Sequence, residues 1–331
     1  MGKVFAAAVS LVLVFSLSAC TVMMPGVTYP TSGITKTTQD TTHLMSTTEP
    51  SAPLKPPETQ PSEPYLTYSP YVVGVTVRDY LGEDYSLYCE MVDSLIRYDG
   101  KVSGFESEEH FHRLWSVLMS CFEPARKICA HYGTSDQPYT YKDGTVQMGL
   151  QLERSEHDKT LKAFADRITQ ALSCVDVDDT EVEIVAKLHM FVSTTMVYAY
   201  GFSNMYDSIM SNRGICATYA QYLILLLNQA GIECYQASGS GAGVDHAWVI
   251  AKMDGQYYHF DPTWEAASRD WSWFAIGDEI RHKTLVDPSV EGTLKLHGDW
   301  DYGAGKWLPP QQCPETFRED TRNGSNPPWL W

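Results

Sequence analysis

Residues 222–227 read Tyr-Leu-Ile-Leu-Leu-Leu, and this run constrains the chain more than any other. As a helix it is apolar nearly all round, with Gly231 supplying the stop. Such a helix belongs in the middle of a domain, covered on every side. The segment that opens it is Gly214-Ile215-Cys216-Ala217-Thr218-Tyr219-Ala220. Cys216 therefore falls at the amino end of a central helix. There the unpaired N–H groups and the positive end of the macrodipole stabilise a thiolate. The competing reading is a small buried cysteine used for packing.

A second local signal lies thirty residues on. Residues 246–253 and 256–261 are strand-like runs joined by Asp254-Gly255, a strong two-residue hairpin turn. That turn fixes the register: Val249 faces Phe260, Trp248 faces Asp261, and His246 faces Thr263. Facing residues share a side of the sheet, as do residues two apart. His246 and Asp261 are then diagonal neighbours on one side, with backbones about 7–8 Å apart. At that spacing a carboxylate reaches an imidazole. Each has a plainer reading, His246 as a core histidine and Asp261 as a strand-end cap before Pro262. Together with Cys216 they form the set needed for thiol acyl transfer: nucleophile, proton acceptor and orienting carboxylate.

The stretch before this gives a mixture of helices and strands. Residues 84–97 place Tyr88, Met91, Val92, Leu95 and Ile96 on one helical stripe. A second helix from about Ser107 carries Phe111, Leu114, Trp115, Leu118 and Phe122 on one face and ends at Pro124. Residues 139–141 and 145–152 read as strands around an Asp143-Gly144 turn. A helix follows at about 157–173, and another opens at Thr180 with Glu183 completing a capping box, running to about Thr195. The fold class is α+β.

The ends carry other information. Lys3, an apolar run to Phe15 and then Leu17-Ser18-Ala19-Cys20 have the layout of a secretory signal peptide. The apolar run is shorter than the ~20 residues a membrane span needs. Its ending resembles a bacterial lipobox, which implies lipidation of Cys20; an ordinary secretion signal ending in Cys is the alternative. Residues 21–68 are dominated by Thr, Ser and Pro and lack the apolar surface to offset ordering entropy. They are expected to be a disordered tether, spanning roughly 35–40 Å if flexible. The expected organisation is a leader at 1–20, the tether at 21–68, an accessory α+β region at 69–175, a catalytic core at 176–290 and a Trp-rich extension at 291–331. Seven of the nine tryptophans follow residue 260, as a packed lid over the domain's end or a sugar- or wall-binding platform.

The formal net charge of -17, with no clustered Lys and Arg, excludes a nucleic-acid-binding face. With Cys20 and Cys216 assigned, Cys89, Cys121, Cys129, Cys174, Cys234 and Cys313 remain. In an exported protein these could be disulfides or buried thiols, and spacing does not choose. No Cys-x-x-Cys pair is present, and His110 and His112 would point to different sides of a helix. No metal and no cofactor are expected.

The same residues resemble the transglutaminase-like superfamily, a circularly rearranged relative of the papain fold. The likeness rests on Gly214-Ile215-Cys216-Ala217-Thr218-Tyr219-Ala220, Gly231-Ile232-Glu233-Cys234, His246-Ala247-Trp248, Asp254-Gly255 and Asp261-Pro262-Thr263-Trp264. The run from Trp273 to Glu279 also looks like the strand and turn that follow in that family. The likeness covers about residues 180–285. Thr218 and Val249 depart from the family's frequent Gly and Asn. The resemblance implies a papain-like thiol fold, with a Cys-bearing buried helix on an antiparallel sheet that bears His and Asp. It implies catalysis by Cys216, His246 and Asp261 on a peptide, protein or wall-peptide amide. It also suggests the Tyr198 hydroxyl as a second oxyanion donor beside the Cys216 amide; a packing or cleft tyrosine is the alternative. The expected activity is acyl transfer or hydrolysis through a Cys thioester, with a non-catalytic surface or wall-peptide binding module as the rival. The expected site is outside the membrane, held there only by a lipid anchor.

Overall fold

The computed structural model of the protein describes residues 64–130, 138–201, 204–241, 244–278, 294–295, 300–301, 306–307 and 312–317. The expected leader with Cys20, most of the tether and most of the Trp-rich extension lie outside these residues. Among those described, no helix is long and apolar enough to cross a membrane.

The front region is built on α1 (Val75–Leu81), α2 (Tyr85–Ile96), β1 (Lys101–Ser103), α3 (Glu108–Cys121), α4 (Ala125–Ile128), β2 (Tyr139–Lys142) and β3 (Thr145–Met148). Ser107 caps α3 by accepting the His110 N–H. The strands form an antiparallel sheet in the order β1-β3-β2. Tyr88, Met91, Val92 and Leu95 of α2 pack with Phe111, Leu114 and Leu118 of α3 against Val146 and Met148. Ile96 departs from the expected stripe: it ends α2 at the stripe's edge and is 36% exposed. Neither α1 nor β1 is anticipated by periodicity, since β1 offers a single inward residue, Val102. The strand expected over 145–152 stops at Met148, and Leu150 forms only an isolated bridge to Cys129.

A second core begins with α5 (Arg154–Leu172) and α6 (Glu181–Thr195). The Thr180–Glu183 capping box forms as expected. Then come β4 (Val197–Tyr198), α7 (Met205–Ser211), β5 (Arg213–Gly214), α8 (Cys216–Gln229), β6 (Cys234–Gly241), β7 (Val244–Met253), β8 (Gln256–Phe260) and α9 (Pro262–Ser268). An antiparallel sheet in the order β8-β7-β6-β9, with β9 at Leu294–Lys295, packs on α8. Every residue from Tyr222 to Leu227 is buried, as an all-round apolar helix requires.

Two expectations need correction. Leu66 and Tyr68, placed in the tether by composition, pack against this second core, and the Tyr68 N–H bonds Thr169 Oγ1 at 3.1 Å. The β7–β8 ladder keeps the expected register from Met253–Gln256 to Val249–Phe260 but stops there. Trp248 does not face Asp261, nor His246 Thr263. Pro262 has no N–H to continue a ladder and instead opens α9, with Asp261 as its N-cap.

Candidate active site

Cys216 is the first residue of α8 and is 9% exposed. Ile215 precedes it as N-cap and offers no side-chain oxygen. The positive end of the helix is therefore left to the thiol. Gly214 has to lack a side chain: a Cβ there would lie 2.5 Å from both Cβ and Oγ1 of Thr218. The Gly214 missing methyl and the Thr218 side chain occupy one space, and this contact sets how α8 enters behind Cys216.

The hairpin delivers the other two groups. Asp254 and Gly255 both have positive φ, 50° and 81°, the mirror-image turn that matches strand twist. His246 Nε2 lies 2.6 Å from Asp261 Oδ2, with both side chains buried. The Cys216 thiol lies beside the same imidazole and also acts on its pKa. Since Nε2 is committed to Asp261, Nδ1 is the nitrogen left for sulfur. Burial alone would push the His246 pKa down. The Asp261 carboxylate, by charge and hydrogen bond, and the thiol outweigh it and raise the pKa to about 10.

Asp261 does two things at once. Oδ2 holds the imidazole, while Oδ1 accepts the N–H groups of Thr263 and Trp264 at 3.1 Å each, capping α9. Its own N–H donates to the Trp273 carbonyl at 2.9 Å. That loop is pinned by the buried Glu265, whose oxygens accept the N–H groups of Trp271 and Trp273 at 2.8 and 3.0 Å. The indoles of Trp248 and Trp264 both lie near-parallel to the His246 ring, at 5.9 and 4.8 Å between centroids and 21° in each case.

Tyr198 sits on β4, paired in parallel with β5, so its backbone faces Gly214 two residues before Cys216. It is 36% exposed and tilts against Tyr219. Six of the other cysteines were left open between bridge and thiol. Of these, Cys89, Cys129, Cys174 and Cys234 are thiols, with burial pushing all four upward in pKa.

Sequence reading missed His259 and Asp278. Among the described residues, these two and Cys313 bring three potential metal-ligand atoms within 4.8 Å of one another. A metal does not fit them as they stand. The Trp248 Nε1–H, a donor only, bonds His259 Nδ1 at 2.9 Å, so the ring proton is on Nε2, directed at Asp278 Oδ1 at 2.9 Å. No ring lone pair remains for an ion. The signal for His259 was available: it stands two residues before Asp261 and diagonal to Trp248 across the hairpin.

Residues 163–262 match the transglutaminase-like superfamily, a span that takes in Cys216, His246 and Asp261. No curated protein matches the chain by sequence. Among solved structures, a candidate cysteine protease from Cytophaga hutchinsonii is 20% identical over 30% of this chain and 37% of its own, with a TM-score of 0.27. A TGase structure is 13% identical over 40% of this chain and 44% of its own, with a TM-score of 0.28. The periplasmic domain of TgpA from Pseudomonas aeruginosa, bound to ethylmercury, is 19% identical over 41% and 70%, with a TM-score of 0.26. The chain thus spans less than half the length of the first two, and these overlaps are short and loose. By its match over residues 163–262, which holds the α8 helix and the β6–β8 sheet, the chain carries a domain of the transglutaminase-like superfamily.

Proposed function

We propose that this protein is a thiol-dependent enzyme that cleaves or exchanges peptide or protein amides through a Cys216 thioester. One observation carries the reading: an imidazole held at 2.6 Å by a buried carboxylate beside a thiol at a helix start. In the first step Nδ1 of His246 holds the proton of the Cys216 thiol, and sulfur attacks the amide carbon. The carbonyl electrons move to oxygen, where the Cys216 N–H is the donor offered by the helix start and the Tyr198 hydroxyl the second candidate. As the tetrahedral species collapses, the imidazolium passes its proton to the leaving amine. Water or a second amine then attacks the thioester, giving a proton to His246 and returning the thiol. Asp261 keeps the imidazole oriented and stabilises its cation throughout, without itself taking the proton.

The test is selective alkylation by iodoacetamide at mildly acid pH, where ordinary thiols, ionising near pH ~8.5, are inert. Cys216 is expected to label in the wild type and to lose labelling in His246→Ala. No selective labelling of Cys216 would favour a non-catalytic binding module on the same fold. Unlabelled wild-type protein offered peptide amides with and without an added amine then separates hydrolysis from transamidation.

The site is proposed to work outside the membrane, on peptide or wall-peptide amides. This rests on the leader, the Leu17-Ser18-Ala19-Cys20 ending and the Thr/Ser/Pro stretch. Cys20→Ala is expected to release the protein from the membrane fraction or leave it unprocessed. Normal size with unchanged attachment would exclude lipidation at Cys20.

A further inference from the structure

The imidazole of His246 is held by Asp261 along its edge, but its faces are controlled by indoles. Trp248 stands two residues along β7, on the same side of the sheet, with its ring near-parallel to the imidazole. Trp248 is 1% exposed, so the place of its ring is decided by its neighbours and not by water. Its single polar atom, Nε1, donates to His259 Nδ1 at 2.9 Å. His259 in turn donates from Nε2 to Asp278 Oδ1 at 2.9 Å. The other Asp278 oxygen accepts the Cys313 N–H at 3.0 Å, and the Asp278 N–H donates to the Cys313 carbonyl at 2.7 Å. Thr316 and Phe317 fasten the same short segment to Gly277 and Ala275. A continuous line of contacts therefore runs from residues 312–317 through Asp278, His259 and Trp248 to His246.

We infer that His259 is a positioning residue for the proposed thiol reaction, acting through the Trp248 indole that it holds alongside His246. The inference rests on the reading of Cys216 and His246 as a reacting pair. An imidazolium beside an aromatic face is stabilised by the ring's negative quadrupole. Trp248 provides that face only while its N–H has an acceptor. Without one, a buried donor is left unsatisfied, and turning the ring toward another acceptor relieves the cost. As that acceptor His259 holds no proton on Nδ1, since a proton there would oppose the indole N–H. His246 itself is faced by Asp261 and Cys216, and His259 by Asp278 and Cys313. From α9, Glu265 is engaged by backbone N–H groups, and His189 of α6 packs on Phe260 and Phe274.

The experiment is the pH profile of Cys216 alkylation in the full chain, with melting curves to confirm folding. His259→Phe keeps the ring and removes the acceptor. Alkylation at mildly acid pH is expected to fall on the order of tenfold, the range of a desolvated cation–π contact, with the profile displaced to higher pH. His259→Asn sets an acceptor where Nδ1 stood and is expected to recover most of the loss. In a Trp248→Phe background, His259→Phe is expected to move the profile no further. A folded His259→Phe with the wild-type profile overturns the inference, as does an added shift in the Trp248→Phe background. Should His259→Phe not fold, His259→Gln sets its acceptor away from Nε1 and carries the same test. If wild-type Cys216 is inert in acid, the functional reading fails instead. The ring-proton NMR titration of His246 then decides the positioning role alone: its midpoint falls in His259→Phe, or the role is absent.

Discussion

The front region and the thiol region each bury a carboxyl group, and they treat it in opposite ways. Glu123, between α3 and α4, is 3% exposed, and burial pushes its pKa up to about 8. Asp261 is 1% exposed, yet it sits among two backbone N–H groups and an imidazole. At Glu123 burial outweighs the nearby backbone N–H and Arg126 and favours the neutral acid. The chain thus carries one carboxyl that holds its proton near neutral pH and one arranged to serve as a counter-ion. Only the second belongs to the Cys216–His246 site.

The sharpest way to break this contrast is Asp261→Asn. The amide oxygen can still cap α9, but the negative charge facing the imidazolium is gone. Turnover is expected to fall on the order of 10²–10⁴-fold, the range seen when a serine triad loses its carboxylate. Stability also changes in a defined direction. A His pKa raised from 6.5 to about 10 gives stability that is full below 6.5 and lost as pH rises through about 10. Thermal melts of Asp261→Asn are expected to lose much of that alkaline limb.

Glu123→Gln tests the other side. A carboxyl raised from 4.5 to about 8 gives stability that is full below 4.5 and lost as pH rises through about 8. The variant is expected to be a few kcal/mol more stable than wild type at pH above 8, and to gain nothing below 4.5. Denaturant titrations at the two extremes check it, and equal gains at both would show that charge is not the cause.

Gly214→Ala comes next. The added methyl meets Thr218, so overpacking of about 1–3 kcal/mol and slower Cys216 alkylation are expected. Thr218→Gly in the same chain, which removes the Cβ at 2.5 Å as well as the hydroxyl, should recover the alkylation rate, whereas a loss that persists would place the strain elsewhere.

The smallest expected effect is at His189, fully buried against Phe260 and Phe274, with neither ring nitrogen hydrogen-bonded among the described residues. Burial lowers its pKa to about 3, so its contribution is full above 6.5 and is lost as pH falls from there toward 3. His189→Leu is expected to change neutral stability by less than about 1.5 kcal/mol. Its gain is expected only in acid, which paired melts at neutral and acid pH will read.

What could be read from residues alone was local. The Asp143-Gly144 and Asp254-Gly255 turns, the Thr180–Glu183 box and the buried α8 helix each depend on neighbours within a few positions. Residues decided by distant partners were not legible. Val102 joins a sheet only because Val146 lies opposite, and Tyr68 is ordered by Phe164 and Thr169, about a hundred positions away. His259 takes its role from Trp248 and Asp278, which no single periodicity connects. The hairpin register was right as far as Phe260; the ladder was then carried on past Asp261 and past Pro262, which cannot donate. The two readings of Asp261, partner of His246 and end cap, looked like alternatives because a sequence gives one residue one place. The carboxylate has two oxygens, and each takes one task.

That division ties the thiol's chemistry to the chain's maturity. A segment in which residues 262–268 have not yet coiled leaves Asp261 unanchored, and with it the imidazole that readies sulfur. An unfinished chain would carry Cys216 as an ordinary thiol, without the positioned imidazole that the proposed reaction needs. On the proposed function, Cys216 becomes a nucleophile only when the last turn beside it closes, so the helix acts as a safety catch. Alkylation of Cys216 followed during refolding is expected to appear together with the native near-ultraviolet signal of the surrounding tryptophans, and never ahead of it.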